Sequence, residues 1–408
     1  MAHLEDYLMF LEERRKAILA YLDKHEKGSV QFFSEIFKVF KVSKETIRKD
    51  LNMLDQQLLV IRCYGGAMIK RHRLVSNITD KECITSLMTR YEKQKFKKRG
   101  DRMNGNVCIL GSFNVDIVAQ VARFPKGGES ILAQKSMLGP GGKGANQALA
   151  ASHADAKVHF VAKVGTDQFS QFAHDHLSSS KINSFTLYQS DKEPTGNAVI
   201  YVSEENGENM IAIYPGANLT ITDKEIVMLE SYLKQSDILL VQLENNIDAV
   251  LNAMKLAKTI GVKVVLNPAP YSKDIQQLLP YIDIITPNET EASLMSGVEV
   301  NDFDSAKLAA EKIYLLGIQT VIITLGSKGS LIFDGKHHQH IKPFLAVPID
   351  TTGAGDAFNG AFCASLAKGE TLYQSAVYAS AFASLAVERE GASNMPSHQN
   401  VLKRMENK

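Results

Sequence analysis

Six short apolar runs, VCILG, HFVAKVG, DILLVQLE, KVVLNPAP, IDIITPN and TVIITLG, recur after position 105, each ending at a glycine or polar residues. Segments with helical apolar spacing lie between them: Ala145–His153, Ala249–Ile260, Ser305–Leu316 and Asp356–Ala367. Strands this apolar need cover on both faces, and alternation with helices supplies it, so the pattern predicts a parallel sheet sandwiched between helices. Ligands in such sheets gather beyond the carboxyl ends of the strands. The opening stretch VCILGSFNVDIVAQV reads as a strand followed by a turn. Two stretches break the alternation. Glu129–Met137 and Ala198–Tyr214 alternate like antiparallel strands, the second around the turn signal Glu205-Asn206-Gly207. They predict a small β lid that would exclude water from a site, with an apolar face suited to a homodimer.

The run Ile349–Gly360, IDTTGAGDAFNG, carries the strongest chemical signal. Asp356 follows three small residues, Gly353, Ala354 and Gly355, and an apolar helical run follows it. Phosphoryl transfer to a hydroxyl needs a base for the proton and unhindered N–H groups for the charge on the transferring oxygens. A helix N-terminus behind small residues offers those N–H groups. The run is read as the catalytic centre of a small-molecule kinase.

Other polar groups follow the strands. Asn114 and Asp116 lie two apart and suit vicinal hydroxyls, or a plain turn. The glycine-rich run Gly139–Gln147 places Gly142, Lys143 and Asn146 at a helix start; it lacks the spacing of a Walker A loop. Glu244 is either a hydroxyl-binding acid or a helix cap. Asn288 and Glu291, at i and i+3, suit either simple capping or water on Mg²⁺, an ion that keeps several waters. Thr324, Gly326, Ser327 and Gly329 form a glycine turn suited to nucleotide phosphates.

The net charge of +1 conceals an asymmetry. Residues 1–100 hold 21 Lys+Arg against 13 Asp+Glu, and the remainder 25 against 32. The basic part contains two helical segments, then KVSKETIRKDLNMLDQQ. There Ser43 is a good N-cap, and Ile47, Leu51 and Leu54 line one apolar face. Leu58–Arg62 reads as a strand leading into the turn Tyr64-Gly65-Gly66-Ala67. A short helix with cationic groups near its N-terminus, followed by a wing, fits a DNA major groove; a docking domain with a solvated basic face is the plainer alternative. No run approaches the roughly 18 apolar residues of a membrane span. Acids precede the first apolar residues, which argues against a secretory leader. The four cysteines form no CxxC pair, which fits a reducing cytoplasm.

Arg14–Ala67, through VSKETIRKDL and YGGA, resembles the winged helix-turn-helix of DeoR-type bacterial regulators. That resemblance implies that Ser43, Lys44, Thr46, Arg48 and Lys49 face DNA. Asn106–Met405 resembles the ribokinase branch of the PfkB carbohydrate kinases, through GSFNVD, GPGGKGANQA, TPNETEA, ITLGSKG and DTTGAGDAFNG in family order. The resemblance implies a ribokinase-like α/β sandwich with a β lid, and ATP-dependent phosphorylation of D-ribose at O5. By position, Asp356 would be the base and Gly353, Ala354 and Gly355 the anion hole. Asn114, Asp116, Gly142, Lys143, Asn146 and Glu244 would hold the pentose. Asn288, Thr324, Gly326, Ser327, Gly329 and Gly355 would touch ATP, and Glu291 would act on Mg²⁺ through water. Asp350 and Thr352, with Ala386, Arg389 and Gly391, match the family's monovalent-cation loops, which implies K⁺; where ribokinases often carry a serine, the aligned residue is Met395. The expected organisation is a winged helix-turn-helix domain over 1–68, a basic linker over 69–104 and a sugar kinase over 105–408. A sugar sensor without catalysis, or a kinase for 2-deoxyribose or fructose, are the alternatives.

Overall fold

The computed structural model describes residues 27–29, 51, 53–54, 60–63, 66–69 and 105–406. The chain divides into two compact units, Met1–Lys93 and Gln94–Lys408. In the first, β1 (Lys27–Ser29), β2 (Val60–Cys63) and β3 (Gly66–Ile69) form an antiparallel sheet in the order β1-β3-β2. The hairpin pairs Cys63 with Gly66 and Arg62 with Ala67. It stands where the wing is expected, while β1 carries no strand signal of its own. Leu51 and Leu54 are buried and Met53 is exposed, as one apolar helix face requires. Ser43, Lys44, Thr46, Arg48, Lys49 and most of the basic linker lie outside the described residues.

The second unit is built on a nine-stranded sheet. Its strands are β4 (Asn106–Leu110), β7 (Lys157–Val164), β8 (Ser184–Gln189), β11 (Ile238–Val241), β12 (Lys263–Leu266), β13 (Ile284–Ile285), β14 (Thr320–Thr324), β15 (Ser330–Phe333) and β16 (His338–Ile341). The order is β16-β15-β14-β13-β12-β11-β4-β7-β8, with every strand parallel except β15, which is antiparallel to both of its neighbours. Strand residues alternate between two cores: Val107, Ile109, Ile238 and Leu240 enter one, and Cys108, Leu110, Leu239 and Val241 the other. This period of two is why the runs read as continuously apolar.

On the first face pack α1 (Lys143–His153), α8 (Ala354–Ala367) and α9 (Leu372–Ala386); on the second, α5 (Ile247–Ile260), α6 (Glu289–Ser296) and α7 (Phe303–Tyr314). Helices α2 (Gln168–Ser179), α3 (Asp223–Met228), α4 (Glu230–Leu233) and α10 (His398–Glu406) complete the unit. α1 and α8 cross closely because small residues line the crossing. A Cβ at Gly360 would overlap the Gln147 carbonyl and the Ala150 methyl. That approach sets Asp356 against Asn146 and Gln147.

The lid is a second sheet, with β5 (Asn114–Val121), β6 (Lys135–Gly141), β9 (Gly196–Ser203) and β10 (Asn209–Tyr214) in the order β10-β9-β5-β6. It differs from the sequence reading in two respects. Asn114–Val121 is a full strand rather than a turn, and it pairs parallel to β9. Glu129–Gln134 forms no strand, because Glu129 is tied back by the Arg123 guanidinium and the Lys126 N–H; pairing begins only at Lys135. Among the described residues no helix is long and apolar enough to cross a membrane.

Candidate active site

Helix α8 begins at Ala354 behind Gly353, whose φ of 76° places it in the left-handed region. Its first turn opens on a cavity of ≈ 170 Å³ at the carboxyl ends of the strands. Gly353, Ala354, Gly355, Asp356, Lys143, Asn288, Glu291 and Thr324 all line it. Asp356 is 6% exposed. Its Oδ1 accepts from Gln147 Nε2 at 2.9 Å and its Oδ2 from Asn146 Nδ2 at 3.2 Å. Burial pushes this carboxyl above the ordinary carboxylate range, against Lys143 and the Gln147 and Asn146 donors, which favour the ionised form. A carboxyl group partly stripped of water, and so with a raised affinity for a proton, has the character of a general base.

Lys143 sits at the first position of α1. Burial disfavours its charge, but Asp356, Glu244 and Glu291 outweigh that and hold its pKa above the usual lysine range. Glu244 Oε2 accepts from Lys143 N at 3.0 Å and from Ser112 Oγ at 2.5 Å. It therefore does cap a helix, but the distant α1 rather than α5, which follows it and has Asn246 at its N-cap. Asp116, on the lid strand β5, is raised to about 6 by burial and by Glu244.

Asn288 and Glu291 form a capping box on α6: Asn288 Oδ1 accepts from Glu291 N at 2.8 Å, and Glu291 Oε2 accepts from Asn288 N at 2.9 Å. Capping occupies one oxygen of each side chain. Glu291 Oε1 and Asn288 Nδ2 make no hydrogen bond among the described residues, and both side chains line the cavity. Glu291 is 8% exposed, and burial raises its pKa against the Asn288 N–H and Lys143. Among the described residues no three His, Cys, Asp or Glu side chains converge as a metal cage. A single free carboxylate oxygen beside a phosphate-sized cavity suits Mg²⁺ held through water.

Asp350 joins the two loops expected to hold a monovalent cation. Its Oδ1 accepts from Thr352 N at 2.8 Å and its Oδ2 from Gly391 N at 3.0 Å. Ala386 lies at the end of α9, and its carbonyl accepts from Arg389 N. Met395 is buried, and its carbonyl accepts from Arg389 Nη1 at 2.9 Å. Asp350 thereby ties the two loops together, and K⁺, if held there, would take its oxygen ligands from the carbonyls of those loops.

Gly326, Ser327 and Gly329 are not part of the cavity wall, unlike Thr324. They occupy the tight turn between β14 and β15, one step beyond the strand end. Conversely, five polar side chains escaped the sequence reading. Gln147 Nε2 also bonds Asn267 Oδ1, and Gln242 Nε2 donates to Gln147 Oε1 at 2.6 Å. Thr286 Oγ1 donates to Asn359 Oδ1 at 2.5 Å, and Asn359 Nδ2 donates to the Gly355 carbonyl at 2.9 Å. The signal was available: Gln242, Asn267 and Thr286 each follow directly on an apolar strand, and Gln147 and Asn359 lie within the glycine-rich and Asp356 runs.

Residues 104–399 match the pfkB family carbohydrate kinase profile, and residues 14–73 match the DeoR-like helix-turn-helix domain. The chain is 40% identical to a ribokinase of Haemophilus influenzae over 305 residues, 74% of this chain and 99% of the relative. It is 34% identical to a deoxyribokinase of Salmonella typhi over 258 residues, 63% of this chain and 84% of that protein. The structure of Arabidopsis thaliana ribokinase complexed with ribose and ATP superposes with a TM-score of 0.68 at 32% identity, covering 74% of this chain and 99% of that one. The fold is therefore ribokinase-like, and the chain, a sugar kinase with a DeoR-like helix-turn-helix domain ahead of its catalytic unit, belongs to the pfkB family of carbohydrate kinases.

Proposed function

We propose that the chain transfers the γ-phosphoryl group of ATP to O5 of D-ribose, and that its N-terminal domain binds DNA. The observation that carries the catalytic reading is Asp356, buried at the N-terminus of α8 and held by two amide donors on the wall of the cavity. In this reading Asp356 accepts the O5 proton while the Gly353, Ala354 and Gly355 amides receive the charge on the transferring oxygens. Asn114, Asp116, Gly142, Lys143, Asn146 and Glu244 hold the pentose; Asn288 and Thr324 hold the nucleotide. Gly326, Ser327 and Gly329 would reach only the outer part of a nucleotide. Glu291 would orient water on Mg²⁺, which supplies positive charge to the phosphate oxygens. Asp350, Thr352, Ala386, Arg389 and Gly391 would surround K⁺, which stiffens the loop ahead of α8. A protein that uses ATP and binds DNA would act in the cytoplasm, and the cysteine usage supports that reading.

The test is a sugar panel with purified protein, ATP, Mg²⁺ and K⁺. Ribose is expected to give the highest kcat/KM. The likeness to a deoxyribokinase favours a second reading, 2-deoxyribose, and a panel led by that sugar would replace the first. The same panel run against pH carries a sign. Asp116, raised to about 6, is mostly ionised at neutral pH and half protonated near 6. A protonated carboxyl accepts hydroxyl hydrogens poorly, so kcat/KM for the preferred sugar is expected to fall as pH drops through about 6. Asp116→Asn should be low throughout and lose that inflection; an unmoved inflection would exclude Asp116 as its source.

For DNA, the expected footprint is electrostatic: affinity falls with salt by a slope of about −0.9 per neutralised phosphate. Arg48→Ala is expected to weaken binding about tenfold and leave kcat unchanged. Met137, Leu138, Val199, Met210, Ile211 and Ile213 are exposed on the lid, a large apolar area for a monomer to leave wet. We therefore propose a lid-mediated homodimer, and sedimentation of the protein–DNA mixture should find two chains per duplex. One chain per duplex, with unchanged affinity in Arg48→Ala, would refute both parts. Control of DNA binding by sugar requires unequal sugar affinity for the two DNA-binding states; footprints that stay identical with and without ribose and ATP would refute that coupling.

A further inference from the structure

We propose that Asn218 sets the hydroxyl preference of the sugar site by fixing which end of the Asn114 carboxamide is offered to a ligand. The inference deepens the reading of Asn114 as a sugar ligand and rests on it. A carboxamide can present an acceptor oxygen or a donor NH₂, and its hydrogen-bond partners decide which.

Asn218 lies in the tight turn Gly216–Leu219 that follows β10, and it is 1% exposed. Its Oδ1 accepts from Phe113 N at 3.0 Å, and its Nδ2 donates to Phe113 O at 3.1 Å. This two-point grip on one peptide segment admits only one orientation. Reversed, it would set oxygen against oxygen and N–H against N–H. The same Nδ2 donates to Asn114 Oδ1 at 2.8 Å. The Asn114 oxygen is thus claimed, and its NH₂, which bonds nothing among the described residues, is the end left for a ligand. The turn is held in place in its own right, since Asn245 Nδ2 donates to the Asn218 carbonyl at 3.0 Å.

Asp116 stands two residues along β5 from Asn114 and so on the same face of the strand. Its carboxylate, once ionised, only accepts. Asn114 and Asp116 together offer one donor and one acceptor, the complement of a hydroxyl that accepts from the first and donates to the second. A sugar lacking a hydroxyl there leaves the Asn114 NH₂ unpaired in a buried place, which is how a polar site rejects a deoxy analogue. Asn218 touches no ligand in this scheme. It is a positioning residue that acts through Asn114.

The test is a kinetic double-mutant cycle on the full chain, with the sugar leading the panel and its deoxy or hydroxylated counterpart. Asn218→Asp keeps the size and the acceptor for Phe113 N but turns the donor into an oxygen, so that Asn114 must rotate its NH₂ inward. The expected result is a KM about 10- to 100-fold higher for the preferred sugar, kcat within about threefold, and a collapsed preference between the two sugars. On an Asn114→Ala background the same change should move KM less than about threefold, because the group it acts through is gone. If Asn218→Asp does not fold, Asn218→Ala removes the donor without adding charge and carries the same cycle. Additive KM effects in the double variant, or a preserved sugar preference with kcat falling in step with Tm, would overturn the proposal. A panel led by a sugar other than ribose would overturn the ribose reading alone, since the cycle is run with the leading sugar.

Discussion

Replacing Asp356 by Asn is expected to lower kcat by about 10²–10⁴-fold, the usual span for a positioned general base, with KM for ATP changed only a few-fold and sugar still bound, at a KM raised through Asn146. The surroundings explain why binding survives. Gln147 is locked by Gln242, so its Nε2 continues to face residue 356 and needs an oxygen there. An Asn side chain supplies that oxygen and turns its NH₂ toward Asn146. The Asn146 Oδ1 is buried and without a partner, so a flip of that amide lets it accept from the new NH₂, at the expense of the face Asn146 offers the sugar. Lys143 keeps Glu244 and Glu291 as counter-charges. The substitution therefore removes the proton acceptor, and its remaining cost, the reversed Asn146 amide, falls on sugar binding rather than on the chemical step. Steady-state kinetics at saturating ribose and ATP, with equilibrium sugar binding measured alongside, read the two effects separately. Turnover near the wild-type rate would remove Asp356 from the chemistry.

What the sequence disclosed follows from which physical signals are local. The sheet was legible because its central strands, such as β4, β11 and β14, are buried on both faces and so carry unbroken apolar runs. Asp356, Lys143 and the Asn288/Glu291 pair were legible because their helices start next to glycine or capping residues. The lid was half legible. Asn114–Val121 alternates only weakly, and its strand character comes from pairing with β6 and β9, far along the chain. Glu129–Met137 was expected to be a strand throughout, but its first six residues are held off by Arg123, a contact no periodicity announces. Gln147, Gln242 and Asn267 illustrate the deeper limit. Each is an ordinary amide in the sequence and becomes part of the site only when α1, β11 and β12 bring the three together. β1 was missed for a related reason: Lys27, Gly28 and Ser29 carry no strand pattern and become a strand only by pairing with β3 of the wing hairpin.

The proposed anion hole separates stability from activity more sharply than any other part of the molecule, and two glycines two residues apart should respond oppositely. Gly353 precedes α8 with a φ of 76°, and a Cβ there would sit 2.7 Å from the Ala392 Cβ. Gly353→Ala must therefore adopt a left-handed backbone at a cost of about 1–2 kcal/mol and also push Ala392 away, next to the Gly391 N–H that Asp350 clamps. Its Tm should drop by about 2–4 °C for each kcal/mol lost, with kcat falling as the loop shifts. Gly355 is the reverse case. It lies inside the helix, a Cβ on it would meet nothing within 4 Å, and it lines the cavity. Gly355→Ala should hold or raise Tm, since Ala replaces Gly in a helix with a gain of up to about 1 kcal/mol. The added methyl enters the space that a transferring phosphoryl group needs in order to reach the backbone N–H groups of the first turn, and Asn359 on the Gly355 carbonyl holds the peptide that follows them. Loss of one such donor lowers kcat by about 10²–10³-fold. Differential scanning calorimetry paired with turnover measurements reads both variants. A Gly355→Ala protein that is as stable and as active as the parent would mean that the first turn of α8 does not bind the transferring group, whatever acid stands beside it.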